Sequence, residues 1–154
     1  MNTIKNLIHV LEQSQGIKIF QTFYNEDGED LLRNGDLSCA YYVSTILAMV
    51  RLIDGVSFTV PGLLNRMDKA GWYSLDCEPS NIPEGAIIVW NPVAQGDSEH
   101  KHIGFYLGND QVISNRSSLR VPGIHDLIYS GLDKNQENKK VSIDAILYHE
   151  KLKS

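Results

Sequence analysis

The chain has 154 residues, 42% hydrophobic and 21% charged, which is enough apolar material for one buried core without metal or disulfide staples. A net charge of −5 offers no broad basic surface for a phosphate backbone and argues against nucleic-acid binding. Two cysteines, Cys39 and Cys77, are too few for a disulfide framework and are compatible with a reducing compartment.

The N-terminal stretch Met1-Asn2-Thr3-Ile4-Lys5-Asn6-Leu7-Ile8-His9-Val10-Leu11 interleaves polar with apolar residues, unlike the unbroken apolar block of a secretory signal. It predicts an amphipathic helix over residues 2–15, with Ile4, Leu7, Ile8 and Leu11 on one face and an end near Gly16. Residues 17–24 fit a short strand or a further helical turn, and the acidic stretch 25–30 and Asn34-Gly35-Asp36 read as turns. From Cys39 to Ile53 apolar residues recur at helical spacing. Cys39, Val43, Ile46, Leu47 and Val50 form the stripe, and Tyr42, Met49 and Ile53 widen it. Asp36 or Ser38 is the expected N-cap. Residues 61–70 predict a shorter helix closed by Gly71.

After the proline-bearing loop 76–84 the pattern turns to strands: 86–90 is continuously apolar, 101–107 and 111–115 alternate, and 145–149 closes the set. Residues 133–140 read as a polar surface loop. Helices followed by strands predict an α+β fold, with N-terminal helices packed on a small antiparallel β-sheet. A single domain over residues 1–154 is expected, its core at about 17–150. No window approaches the roughly 20 apolar residues of a membrane span. Without a signal peptide the chain is expected in the cytoplasm as synthesised, with export or release by a non-classical route as the open alternative.

Two segments carry chemistry. Gly35-Asp36-Leu37-Ser38-Cys39-Ala40-Tyr41-Tyr42-Val43 puts a thiol at a helix start, and Lys101-His102-Ile103-Gly104-Phe105-Tyr106-Leu107-Gly108-Asn109-Asp110 puts an imidazole on a strand. A helix N-terminus favours a thiolate by about 0.3–1 kcal/mol when exposed and up to about 2 when partly buried. An imidazole beside it adds to this and can later protonate a leaving amine, while first-turn amides hold an oxyanion. Alternation sets His102, Gly104 and Tyr106 on one face and Ile103, Phe105 and Leu107 on the core face. Gly104 leaves room for a neighbouring chain or a substrate.

The hairpin decides what could orient His102. A two-residue turn at Gly108-Asn109 pairs Phe105 with Val112 and sets His102 opposite Asn115, whereas a three-residue loop brings Ser114 to the His face. The apolar match of Phe105 with Val112 favours Asn115, whose carbonyl would fix the imidazole tautomer.

Four stretches in this order now stand together: Asp36-Leu37-Ser38-Cys39-Ala40-Tyr41-Tyr42-Val43, then Ile82-Pro83-Glu84-Gly85-Ala86-Ile87-Ile88-Val89-Trp90, then His102-Ile103-Gly104-Phe105-Tyr106-Leu107-Gly108-Asn109, then Val112-Ile113-Ser114-Asn115. The set resembles the papain-like cell-wall amidases and peptidases of the NlpC-type and CHAP families, over roughly residues 35–120. The resemblance implies a papain-like fold and hydrolysis of amide or peptide bonds in bacterial peptidoglycan, with Cys39 as nucleophile and His102 as base. Many such proteins carry His at the third site, where this chain offers Ser114 or Asn115. The segment ahead of Cys39 is longer and more acidic than the family pattern, so substrate contacts are not carried over. The expected catalytic set is Cys39, His102 and Asn115, with Ser114 as the alternative third residue, working through a thioester with no cofactor and no metal. A monomer acting on peptidoglycan or a peptide is expected.

Other residues take plainer readings. Cys77 is structural, Tyr41, Tyr42, Trp72 and Trp90 are core or cleft-wall aromatics, and Arg116 and Arg120 are solvated. His100, His102, His125 and Cys77 make no tidy zinc set. The rival functions are a non-catalytic binding module on the same scaffold, or an amide hydrolase or transferase acting on proteins.

Overall fold

A computed structural model of the protein describes residues 1–35, 37–92, 100–128 and 141–153. The candidate cap Asp36 and the stretch 133–140 lie outside these residues.

Helix α1 (Thr3–Gln13) begins where the Asn2 side chain accepts from the Lys5 N–H at 3.1 Å. Its expected apolar face is the one that packs: Leu7 and Leu11 are fully buried, and Ile4 and Ile8 lie against the core. Residues 18–20 form a single 3₁₀ turn rather than a strand. Helix α2 (Cys39–Met49) starts at the expected residue but ends earlier than its periodicity predicts. Arg51 takes a left-handed φ of 60°, and the Leu52 N–H returns to the Leu47 carbonyl at 2.8 Å. Leu52 and Ile53 are therefore buried as part of a turn, and Met49, assigned to the apolar stripe, is exposed. Helix α3 (Val60–Lys69) is capped by Thr59, which accepts from the Gly62 N–H at 3.2 Å, and buries Val60, Leu63 and Met67.

Strands β1 (Tyr73–Ser74), β2 (Ile87–Trp90), β3 (His102–Gly108), β4 (Gln111–Asn115), β5 (Pro122–Asp126) and β6 (Ile143–Tyr148) form one sheet in the order β1-β6-β2-β3-β4-β5. Every neighbouring pair is antiparallel, so the molecule is α+β as the element pattern predicts. Strand β5 escapes sequence reading because Pro122-Gly123 looks like a turn; it lies at the sheet edge, where a missing N–H is tolerated. Helix α2 packs on β3 and β4, with the Tyr42 ring edge-on to Phe105 at 6.0 Å. Ser14 gives its one hydroxyl proton to the Leu11 carbonyl, so the Tyr42 hydroxyl donates to Ser14 at 2.7 Å and ties α2 to α1.

The β3–β4 hairpin departs from the expected register. Its turn is Asn109-Asp110, with φ of 52° and 63°, residue types that tolerate the left-handed region. Gly108, at φ 91°, pairs with Gln111, and Tyr106 pairs with Val112, leaving Leu107 as an extra residue between them. Phe105 consequently faces Ile113, not Val112. One extra residue reverses the parity, so Ser114 rather than Asn115 joins the face of His102.

Candidate active site

Cys39 is the first residue of α2 and is part-exposed on the wall of a cleft of about 430 Å³. His102 and Asn115 line the same cleft, together with apolar side chains that include Leu37, Phe58 and Leu64. All three sequence-derived candidates thus reach one opening. Ser38, a candidate cap, makes no side-chain cap bond, and its buried hydroxyl has no partner among the described residues. The first-turn amides are therefore left to the sulfur and the cleft. Burial pushes the Cys39 thiol up to about 11, against the opposing pull of the backbone amides of Ile103, Ala40 and Cys39 itself. At neutral pH the resting group is a thiol, not the thiolate that the helix dipole alone would favour.

His102 opens β3 and is 7% exposed. Its ring stacks on Trp90 with centroids 5.3 Å apart and planes at 27°, and Trp90, fully buried, donates its indole N–H to the Leu127 carbonyl at 2.9 Å. Nε2 of His102 lies 2.9 Å from Ser114 Oγ, which in turn lies 2.6 Å from Nε2 of His125. Nδ1 of His125 meets the Asp126 carbonyl at 2.9 Å. The side chain within hydrogen-bond distance of His102 is therefore Ser114 and not the expected Asn115, as the reversed hairpin parity requires. Strand register does the rest: Ser114 pairs with Gly123 and Val112 with His125, so Ser114 and His125 share a face.

Asn115 makes a different contact. Its Nδ2 donates to the Gly35 carbonyl at 3.1 Å, while its buried Oδ1 has no partner among the described residues. Arg120, expected to be solvated, donates to the carbonyls of Arg33 and Asn34 at 2.9 and 3.2 Å. Together they fasten the loop that delivers Cys39. Gly35 sits at φ 92°, and a Cβ there would lie 2.6 Å from the Arg120 carbonyl oxygen, so close approach selects glycine. Gly104 is similar: a Cβ would lie 2.8 Å from both the Ile113 carbonyl oxygen and Ser114 Cβ, and 3.2 Å from Trp90. The space left by Gly104 is filled by the neighbouring strand and the indole, not by substrate.

His100 lines the cleft, whereas Cys77 borders a separate depression beside Tyr73 and Tyr148. Among the described residues no group of three or more His, Cys, Asp or Glu is placed to hold a metal ion. Nor is any described helix long and apolar enough to cross a membrane.

Burial pushes His102 down to about 3, helped by the charges of His125 and Arg116. Burial likewise pushes His125 down to about 4, with the Asp126 carbonyl opposing it. Both imidazoles are neutral at pH 7. Below pH about 6.5 the unfolded chain takes up protons that these folded rings refuse, so stability is complete above that pH and falls toward the folded values. Each ring costs up to about 1.4 kcal/mol per pH unit in that window. Urea unfolding is expected to show several kcal/mol less stability at pH 4 than at pH 7. His102→Gln and His125→Gln should each flatten the curve; equal slopes in all three proteins would contradict rings that stay neutral in the folded protein.

Comparison with solved structures identifies the architecture. The protein is similar to NlpC2 from Trichomonas vaginalis, with a TM-score of 0.57 and 17% identity over 94% of this chain and 45% of that one. It is also similar to a Staphylococcus aureus protein described as similar to a lipoprotein of the NLP/P60 family, with a TM-score of 0.51 and 10% identity over 92% of this chain and 41% of that one. The chain carries an NlpC/P60-type fold. It spans less than half the length of either structure. No protein-family model and no curated protein matches the sequence. Within this NlpC/P60-type fold, the N-terminus of α2 and the first residue of β3 open onto the same cleft.

Proposed function

We propose that the protein is a cysteine hydrolase that cleaves amide or peptide bonds of bacterial peptidoglycan. The observation that carries this reading is the shared cleft: a helix-start thiol and a strand-borne imidazole, the latter held by Ser114, face one opening. The NlpC/P60-type fold of the similar structures adds to it.

Because Cys39 rests as a thiol and His102 as a neutral imidazole, proton transfer accompanies attack. The sulfur proton moves to the imidazole as the S–C bond forms, and the carbonyl oxygen becomes an oxyanion held by the first-turn amides of α2. The imidazolium then gives that proton to the leaving nitrogen as the C–N bond breaks, leaving a thioester. Water, deprotonated by the same imidazole, attacks the thioester; the thiolate leaves and recovers the proton. In this scheme Ser114 orients the base and Asn115 positions the loop ahead of the nucleophile.

Incubation with purified peptidoglycan should release fragments bearing new carboxyl and amino ends, detectable by mass spectrometry and absent after alkylation of Cys39. Cleavage of a labelled protein with intact peptidoglycan would transfer the reading to protein substrates. No cleavage of either would leave a binding module and overturn the proposal.

A further inference from the structure

His125 was not among the residues that a cysteine–histidine reading selects, yet it ends a continuous line of hydrogen bonds running from the cleft into the sheet. The line can be solved by counting protons. A backbone carbonyl only accepts, so Nδ1 of His125 must donate to the Asp126 oxygen at 2.9 Å. In the neutral ring, Nε2 of His125 is then an acceptor. Its partner at 2.6 Å, Ser114 Oγ, must give it the one proton that a hydroxyl owns. Ser114 Oγ can therefore only accept from Nε2 of His102 at 2.9 Å. His102 is left with its proton on Nε2 and its lone pair on Nδ1. Every direction along the line follows from one main-chain carbonyl.

Packing holds the line in place. Trp90 lies against both rings, stacked on His102 at 5.3 Å and tilted over His125 at 5.6 Å. Gly104 admits Ser114 and the indole where any Cβ would push them apart. Ser114 is fully buried, so bulk water does not compete for its hydroxyl.

We infer that His125 is a positioning residue that, through Ser114, selects the tautomer of His102 in which Nδ1 can take a proton from the Cys39 thiol. The inference rests on the hydrolase reading for its catalytic meaning, but the tautomer itself does not. Without an acceptor at position 125, the Ser114 hydroxyl is released to donate to Nε2 of His102. That stabilises the opposite tautomer, whose Nδ1 already carries a proton and cannot act as base.

The test is ¹⁵N NMR of the histidine rings in the intact protein at neutral pH, with no substrate present. Wild type should show His102 protonated at Nε2 and His125 at Nδ1. His125→Phe should move His102 toward the Nδ1-protonated form. In peptidoglycan cleavage it should lower kcat by about 10–100-fold with KM changed less than about twofold. His125→Gln, whose amide oxygen can accept from Ser114, should restore most of the rate and the original tautomer. Adding His125→Phe to Ser114→Ala should cost little beyond Ser114→Ala alone, because the two act in series. An Nδ1-protonated His102 in wild type would overturn the inference, and that measurement needs no variant to fold. So would a His125→Phe protein that loses activity while keeping the wild-type tautomer, since a merely structural role predicts that pattern. If peptidoglycan is not cleaved, the hydrolase reading fails while the spectra still decide the tautomer.

Discussion

Cys39→Ala should lose essentially all peptidoglycan cleavage, a fall of at least about 10⁴-fold in kcat/KM, while folding as wild type does. The size of the loss follows from the scheme: without Sγ no thioester forms, and the cleft retains only binding and the first-turn amides. The fold should tolerate the change because Cys39 is part-exposed at a helix start and makes no disulfide. The side chain lost is small, and the alanine that replaces it is a better helix former than cysteine. Urea unfolding should therefore show a change within about 1 kcal/mol. Cys39→Ser should be nearly as inactive, since a neutral hydroxyl is a poorer nucleophile than sulfur at the same position. Undiminished cleavage by Cys39→Ala would place the chemistry elsewhere in the molecule.

The largest effect on stability should come from Trp90. Its side chain is fully buried against the two imidazoles of the hydrogen-bonded line and donates to the Leu127 carbonyl. Trp90→Ala removes a large apolar volume that the surrounding strands cannot collapse to fill, at a cost of about 3–5 kcal/mol. It also strands a carbonyl acceptor and frees both rings to turn. Trp90→Phe keeps an aromatic surface but not the N–H, so it should cost about 1–3 kcal/mol and spare part of the activity. Equilibrium unfolding in urea measures both. A Trp90→Ala protein within about 1 kcal/mol of wild type would show that the indole does not support the line.

Local rules served the helices well at their beginnings and less well at their ends. The starts at Thr3, Cys39 and Val60 each fall within one residue of the expected ones, and Asn2 and Thr59 cap α1 and α3 within one turn, whereas α2 starts without a bond from the expected cap Ser38. The end of α2 does not match, because Leu52 and Ile53 remain apolar and buried after the backbone has left the helix at Arg51. Apolar periodicity reports burial, and burial continues through a turn that packs inward. Strand β5 was hidden for a related reason: Pro122-Gly123 is a turn signal unless the segment lies at a sheet edge, and edges exist only once strands are ordered.

The candidate site divides along the same line. Cys39 at a helix start and His102 on an alternating strand are properties of short segments, and the sequence by itself determined both, together with the α+β class. Which residue meets the imidazole was decided by tertiary structure, because one unpaired residue at Leu107 changes the face of everything after it. The sequence permits either parity; the left-handed Asn109-Asp110 turn and the packing of Phe105 against Ile113 choose between them. His125 is further removed still. It reaches Ser114 only through the register of a strand that no local pattern announces, since pairing partners in an antiparallel sheet are set by turn geometry and edge position rather than by the residues that end up touching.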